Sequence, residues 1–240
     1  MKILLAGFAI LSLLSAQSDR PVSRTDKNSQ IAHQQLLAKR KQGRIDVYFE
    51  GDSITRRWGA TDYPQLLENW KNNFFGWNAA DFGWGADRVE NILWRLENGE
   101  LDDVNPKVIV LLAGTNNVVD TAAADITRGL AAILRVMQAK APNAVIILTG
   151  IFPRFDKLSV MPEIDAINAN LAGMADGRKV RYLNINEKLT EAMLNADKLH
   201  PARDGYQVWA DALKPILQEL LGPPASEDHA PPPTGDPSIR

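Results

Sequence analysis

The chain has 240 residues, 45% of them hydrophobic, enough for one α/β domain with a sizeable core. Its 27 basic and 29 acidic residues leave a net charge of -2, and no candidate helix gathers Lys and Arg on one face, which argues against nucleic acid as a partner. There is no cysteine, so disulfides and a lipid anchor on cysteine are excluded.

Residues 1–18, "MKILLAGFAILSLLSAQS", carry a basic start at Lys2, an apolar run from Ile3 to Leu14, and small residues around Ser15 to Ser18 where a signal peptidase could cut. This predicts a signal peptide and a secreted or periplasmic protein with no stable membrane span after cleavage. The run is shorter than the roughly 20 residues of a comfortable span, and retention as an N-terminal anchor is the other reading. The working domain is expected over 19–221, opening with a capped helix within "NSQIAHQQLLAKRKQG".

Five short apolar runs follow, at Ile45–Phe49, Trp77–Phe82, Val108–Gly114, Ala144–Phe152 and Val180–Asn186. They lack the polar alternation of a solvated sheet face, which suits strands buried on both sides. Between them lie segments of helical period, "RVENILWRLENG", "AAADITRGLAAILRVMQAKAP", "MPEIDAINANLAGMAD" and, last, "ARDGYQVWADALKPILQELL". The alternation predicts an α/β fold with a doubly wound parallel sheet and helices on both faces. Residues 222–240, "GPPASEDHAPPPTGDPSIR", are Pro-rich and nearly free of apolar side chains, and are expected to be disordered.

In such a sheet, chemistry belongs at the carboxyl ends of the strands. Ser53 in "GDSI" follows the first strand, "GWGAD" (Gly83–Asp87) the second, and "GTNN" (Gly114–Asn117) the third. From Ile45 to Leu221 the serines are Ser53 and Ser159 and the sole histidine is His200, so a nucleophilic hydrolase built on this chain would use Ser53 with His200. In "DKLHP", Asp197 stands three residues before His200, a spacing at which a carboxylate can accept Nδ1–H and leave Nε2 to take the serine proton. Asn116 could aim its side-chain amide at a developing oxyanion, beside backbone N–H groups of Ser53 and the GWGAD loop. Taken singly, each residue also has a plainer reading: Ser53 as a helix cap, Asp197 and His200 as a surface turn, "GTNN" as a Gly-Asn turn.

The four blocks together, in this order and on these elements, resemble those of the SGNH (GDSL-type) hydrolases over about 44–221. The stretch "NILWRLENGELDDVNPKVIVLLAGTNN" is similar to the subgroup that holds the platelet-activating-factor acetylhydrolase catalytic subunits and many bacterial secreted esterases. The resemblance implies a flavodoxin-like sheet of five parallel strands and ester hydrolysis without a metal or other cofactor. It implies Ser53 as nucleophile, His200 as general base and then acid, Asp197 as its orienting carboxylate and Asn116 as an oxyanion donor. The subgroup usually reads Gly-x-Gly-Gly-Asp in its second block, so Ala86 replaces the glycine whose N–H completes the oxyanion hole, with Gly85 as the fallback donor. No long amphipathic insertion offers a lid or acyl tunnel, which points to a short acyl group, acetyl first; the alcohol side is read first as a carbohydrate, small or polymeric, and second as a lysophospholipid or other small lipid ester. Trp77 and Trp94 are expected in the core, whereas Trp84, inside the second-block loop, is expected to present an exposed indole to a sugar ring. A non-catalytic carbohydrate-binding protein on the same fold is the reading of a different class, although no catalytic side chain is missing.

Overall fold

The computed structural model describes residues 17–238. Most of the expected signal peptide, residues 1–16, lies outside the described residues. Ser18 is inside the folded domain, only 1% exposed, so the domain begins slightly before the expected Asp19.

Five strands, β1 (Val47–Gly51), β2 (Ala79–Asp81), β3 (Val108–Leu112), β4 (Val145–Thr149) and β5 (Val180–Leu183), form one sheet in the order β2-β1-β3-β4-β5. Every pairing is parallel. Among the described residues seven α-helices surround it: α1 (Lys27–Lys39), α2 (Ser53–Gly59), α3 (Pro64–Phe74), α4 (Val89–Arg95), α5 (Ala123–Lys140), α6 (Met161–Met174) and α7 (Arg203–Leu221). Among the described residues no helix is long and apolar enough to cross a membrane.

Strand alternation sorts the core into two layers. Tyr48, Ile109, Leu111, Ile146 and Leu148 face one way, against Leu36 of α1, Ile92 of α4, Leu130 of α5 and Ile167 of α6. Val47, Phe49, Val108, Val110 and Ile147 face the other, against Trp58 of α2, Phe74 of α3 and Trp209 of α7. Because successive side chains of a strand point to opposite faces, an all-apolar strand requires a cover on each side, and the helices supply both. The expected α/β/α layering is therefore observed. The expectations omitted α3, where Pro64 occupies the first turn and Leu67, Trp70 and Phe74 follow at helical spacing.

The strand order reverses beside β1, with β2 on one side and β3 on the other. That places the crevice of the fold at the carboxyl ends of these strands. Gly51 makes the β1–α2 turn possible, because a Cβ there would lie 2.4 Å from the Leu112 carbonyl oxygen.

The tail differs from expectation. Residues 222–238 run along the domain instead of leaving it. The Gly222 carbonyl accepts from Trp77 Nε1 and the Ala225 N–H donates to the Gly76 carbonyl. Asp228 accepts from the Gly76 N–H at 2.6 Å, and the Thr61 N–H donates to the Thr234 carbonyl. Composition is a poor guide here because prolines lose little backbone freedom on ordering, and the tail satisfies main-chain groups beside the sheet's β2 edge.

Candidate active site

Asp52, in extended conformation, caps α2 by accepting the Ile54 N–H, so Ser53 occupies the first helical position with its side chain free of capping. Ser53 is half-buried, and its Oγ lies 2.8 Å from His200 Nε2. Asp197 Oδ2 lies 2.8 Å from His200 Nδ1, while Asp197 Oδ1 accepts the backbone N–H groups of Leu199 and His200. The spacing of the "DKLHP" turn thus holds its histidine at two points, ring and backbone. With the proton on Nδ1, Nε2 is the acceptor facing the Ser53 hydroxyl.

Burial raises the Asp197 carboxyl, but the His200 and Leu199 N–H groups and the imidazole outweigh it and leave the group at about 2. Burial, then the Arg57 charge, push the His200 imidazole down, with Arg154 acting the same way and Asp197 opposing. The ring is therefore kept neutral and able to accept a proton below the usual histidine range. Arg57 sits one turn beyond Ser53 on α2, and its Nη1 is 3.3 Å from Asp197 Oδ2. Neither arginine figured in the sequence reading; the spacing of four from Ser53 was the available signal for Arg57.

Asn116 is half-buried at the mouth of β3, and one N–H of its amide donates to the Asp87 carbonyl at 2.8 Å. This joins the "GTNN" and "GWGAD" loops and leaves the second amide hydrogen for another acceptor. Asn117 is structural: its Oδ1 accepts the Val89 N–H at the start of α4 and its Nδ2 donates to Glu90. Ala86 has φ +60° and is exposed, and the N–H groups of Ser53 and Ala86 have no acceptor among the described residues. Gly85, the fallback donor, lies in the same turn with open space where a Cβ would be.

Trp84 corrects the expectation of an exposed indole. It is 7% exposed, its Nε1 donates to Ser29 Oγ of α1 at 2.8 Å, and the Arg56 guanidinium lies 5.0 Å from its ring. The neighbouring α1 supplies the partner that a buried indole N–H requires, so Trp84 supports the loop from below. Trp77 is buried as expected, Trp58 is buried too, and Trp94, expected in the core, is half-buried with its ring 4.9 Å from that of His33. Two cavities of about 350 and 360 Å³ lie beneath the tail and beside Trp84, and neither is lined by Ser53, Asn116 or His200. No cluster of potential metal ligands occurs among the described residues.

The geometry is that of a serine hydroxyl beside a carboxylate-bound imidazole. The chain is 38% identical over 200 residues to the platelet-activating factor acetylhydrolase IB subunit alpha2 of Rattus norvegicus, covering 79% of this chain and 83% of the relative. A member of the lipolytic protein G-D-S-L family from Veillonella parvula superposes with a TM-score of 0.63 at 18% identity, covering 73% of this chain and 100% of that one. A carbohydrate esterase family 3 protein from Talaromyces cellulolyticus superposes with a TM-score of 0.57 at 20% identity, covering 73% and 97%. The sequence model of the GDSL-like Lipase/Acylhydrolase family matches residues 49–208, from β1 into α7, and the chain belongs to that family of ester hydrolases.

Proposed function

We propose that the protein is an exported serine esterase that removes short acyl groups, acetyl above all, through an acyl-enzyme on Ser53. The observation that carries this reading is the chain of two 2.8 Å contacts from Ser53 Oγ through His200 to Asp197. In the mechanism, His200 Nε2 takes the hydroxyl proton as Ser53 Oγ attacks the ester carbonyl carbon. The N–H groups of Ser53 and Ala86 and the Asn116 amide stabilise the resulting oxyanion. His200 then gives its proton to the departing alcohol, and water, deprotonated in turn by His200, releases the acid.

The acetyl preference is supported by the acetylhydrolase relative and by the placement of the two cavities away from Ser53. For the alcohol we retain a carbohydrate as the first reading, on the export signal expected in residues 1–18, although the burial of Trp84 removes the stacking residue expected for it. A small lipid ester is the second reading. It is favoured by Val119 and Leu158, 40% and 64% exposed, on the loops that follow β3 and β4 at the carboxyl edge of the sheet.

The test is kcat/KM on p-nitrophenyl acetate, butyrate, octanoate and palmitate, followed by an acetylated xylan against a lysophospholipid. Acetate should be the best of the series, a fluorophosphonate should label Ser53, and Ser53→Ala should lose about 10⁴-fold or more in turnover. A folded Ser53→Ala protein that keeps most of its activity refutes the mechanism, and a steady rise toward octanoate refutes the short-acyl reading.

A further inference from the structure

Arg24 lies in the arm that precedes α1, and nothing in the four sequence blocks points to it. Its Nη1 donates to the Gly85 carbonyl at 3.2 Å and to Asp87 Oδ1 at 3.2 Å. Asp26, the N-cap of α1, holds the guanidinium from the other side, with Oδ2 3.1 Å from Nε. The far oxygen of Asp87 accepts from Arg95 Nε at 2.7 Å, so the carboxylate that steadies Arg24 is itself fixed from beneath.

The Gly85 carbonyl and the Ala86 N–H belong to one peptide unit. In a planar trans peptide the two groups point in opposite directions, so whatever grips the carbonyl sets the direction of the N–H. This peptide has little else to hold it. A Cβ at Gly85 would meet open space, Ala86 is exposed, and the backbone contact that closes the turn among the described residues is a long one, Asp87 N–H to the Trp84 carbonyl at 3.4 Å, with the Asn116 amide holding the loop beyond it at the Asp87 carbonyl. A cation bound to the carbonyl also draws electron density from the amide, which makes the N–H a better donor.

We infer that Arg24 is a positioning residue for the oxyanion hole: by gripping the Gly85 carbonyl it turns the Ala86 N–H toward the substrate and holds it there. The inference rests on the proposed role of Ala86 in ester hydrolysis. It also accounts for how the loop works without the second glycine of the subgroup, since an anchored peptide needs one fixed conformation and not a flexible one. Arg24 acts through the Gly85 peptide; its own contacts are to Asp26, Gly85 and Asp87.

The experiment compares wild type, Arg24→Ala and Arg24→Lys of the same chain on p-nitrophenyl acetate, with and without added guanidinium ion at concentrations that leave the protein folded. Deleting an oxyanion donor outright costs about 10²- to 10³-fold, so misdirecting one should lower kcat on the order of 10-fold with KM changed less than about twofold. Guanidinium ion should restore part of the loss in Arg24→Ala, and the fluorophosphonate should label Ser53 more slowly in that variant. A lysine keeps the charge but not the fork, so Arg24→Lys should fall between the two, and it decides on the same criteria if Arg24→Ala does not fold. A folded variant whose kcat stays within twofold of wild type, or whose loss lies wholly in KM, overturns the inference while leaving the esterase reading intact. Absence of any Ser53-dependent hydrolysis in the wild type overturns both.

Discussion

Replacing Ala86 by glycine should stabilise the protein without helping its chemistry. Ala86 has φ +60°, a left-handed conformation that costs a residue with a Cβ roughly 1–2 kcal/mol. Glycine removes that cost but gives the unfolded chain more freedom, which returns about 0.4–1 kcal/mol. The methyl group is on an exposed residue, so little packing is lost with it. The difference is a net gain of about 0.5–1 kcal/mol, or roughly 1–4 °C in Tm for a domain of this size. Thermal unfolding followed by circular dichroism reads the first quantity, and kcat on p-nitrophenyl acetate reads the second. Glycine also lets the loop visit other backbone conformations, so kcat should stay level or fall a few-fold. A lower Tm for Ala86→Gly would show that the left-handed backbone is not a cost at this position, and a clear rise in kcat would show that the alanine holds the loop in a poor geometry.

Three further changes probe the site and its surroundings. Arg57→Gln removes a cation that helps push the His200 imidazole down, so its pKa should rise and the acid limb of the kcat/KM profile should move to higher pH; an unmoved limb refutes this. The base must be neutral, so the loss of activity is greatest on the acidic side. Asn116→Ala should lower kcat roughly 10²- to 10³-fold, with KM little changed, and a variant of unaltered kcat would reduce Asn116 to its bond with the Asp87 carbonyl. Ending the chain after Leu221 removes the contacts made to Trp77, Gly76 and Thr61 and should cost on the order of 2 kcal/mol, seen as a Tm lower by several degrees. A disordered tail predicts no change.

The strands were legible because each is a short apolar run between turns, and in a parallel sheet covered on both faces that pattern has few other meanings. The contact between Ser53 and His200 was legible because so few serines and histidines compete in the folded section, and Asp197 because it stands three residues before His200. Helix α3 was missed because the interval from β1 to β2 holds two helices, whereas alternation suggests one. Trp84 illustrates a different limit. A loop sequence does not say which side of the loop faces solvent, and the partner that decided it, Ser29, lies 55 residues away on α1. The tail was misread for a related reason: it is held by hydrogen bonds to main-chain groups and side chains far away in the sequence, among them Gly76, Trp77 and Asn28, which composition does not record.

The deepest feature hidden from the sequence lies beneath the site. In "RVENILWRLENG", Arg95 reads as a surface charge on an amphipathic helix, yet its side chain is 4% exposed. Its guanidinium donates to Glu50 of β1, Asp87 of the second loop and Glu100 beyond α4, and also to the Phe82 and Gly51 carbonyls. Burial pushes the Glu50 and Asp87 carboxyls up, with Arg95 opposing in each case, so the cluster contributes little net stability for the charge it buries. What it does supply is position. An apolar side chain of similar volume could fill the space, but it would not bind the Gly51 carbonyl two residues before Ser53 together with the Phe82 carbonyl and the Asp87 carboxylate. Arg95 fixes the end of β1 relative to the second loop from below, and Arg24 reaches the same Asp87 from above. The serine and the loop that carries Ala86 are thereby set on one frame, which a hydrolase needs when the attacking oxygen and the oxyanion donors must meet the same carbonyl group.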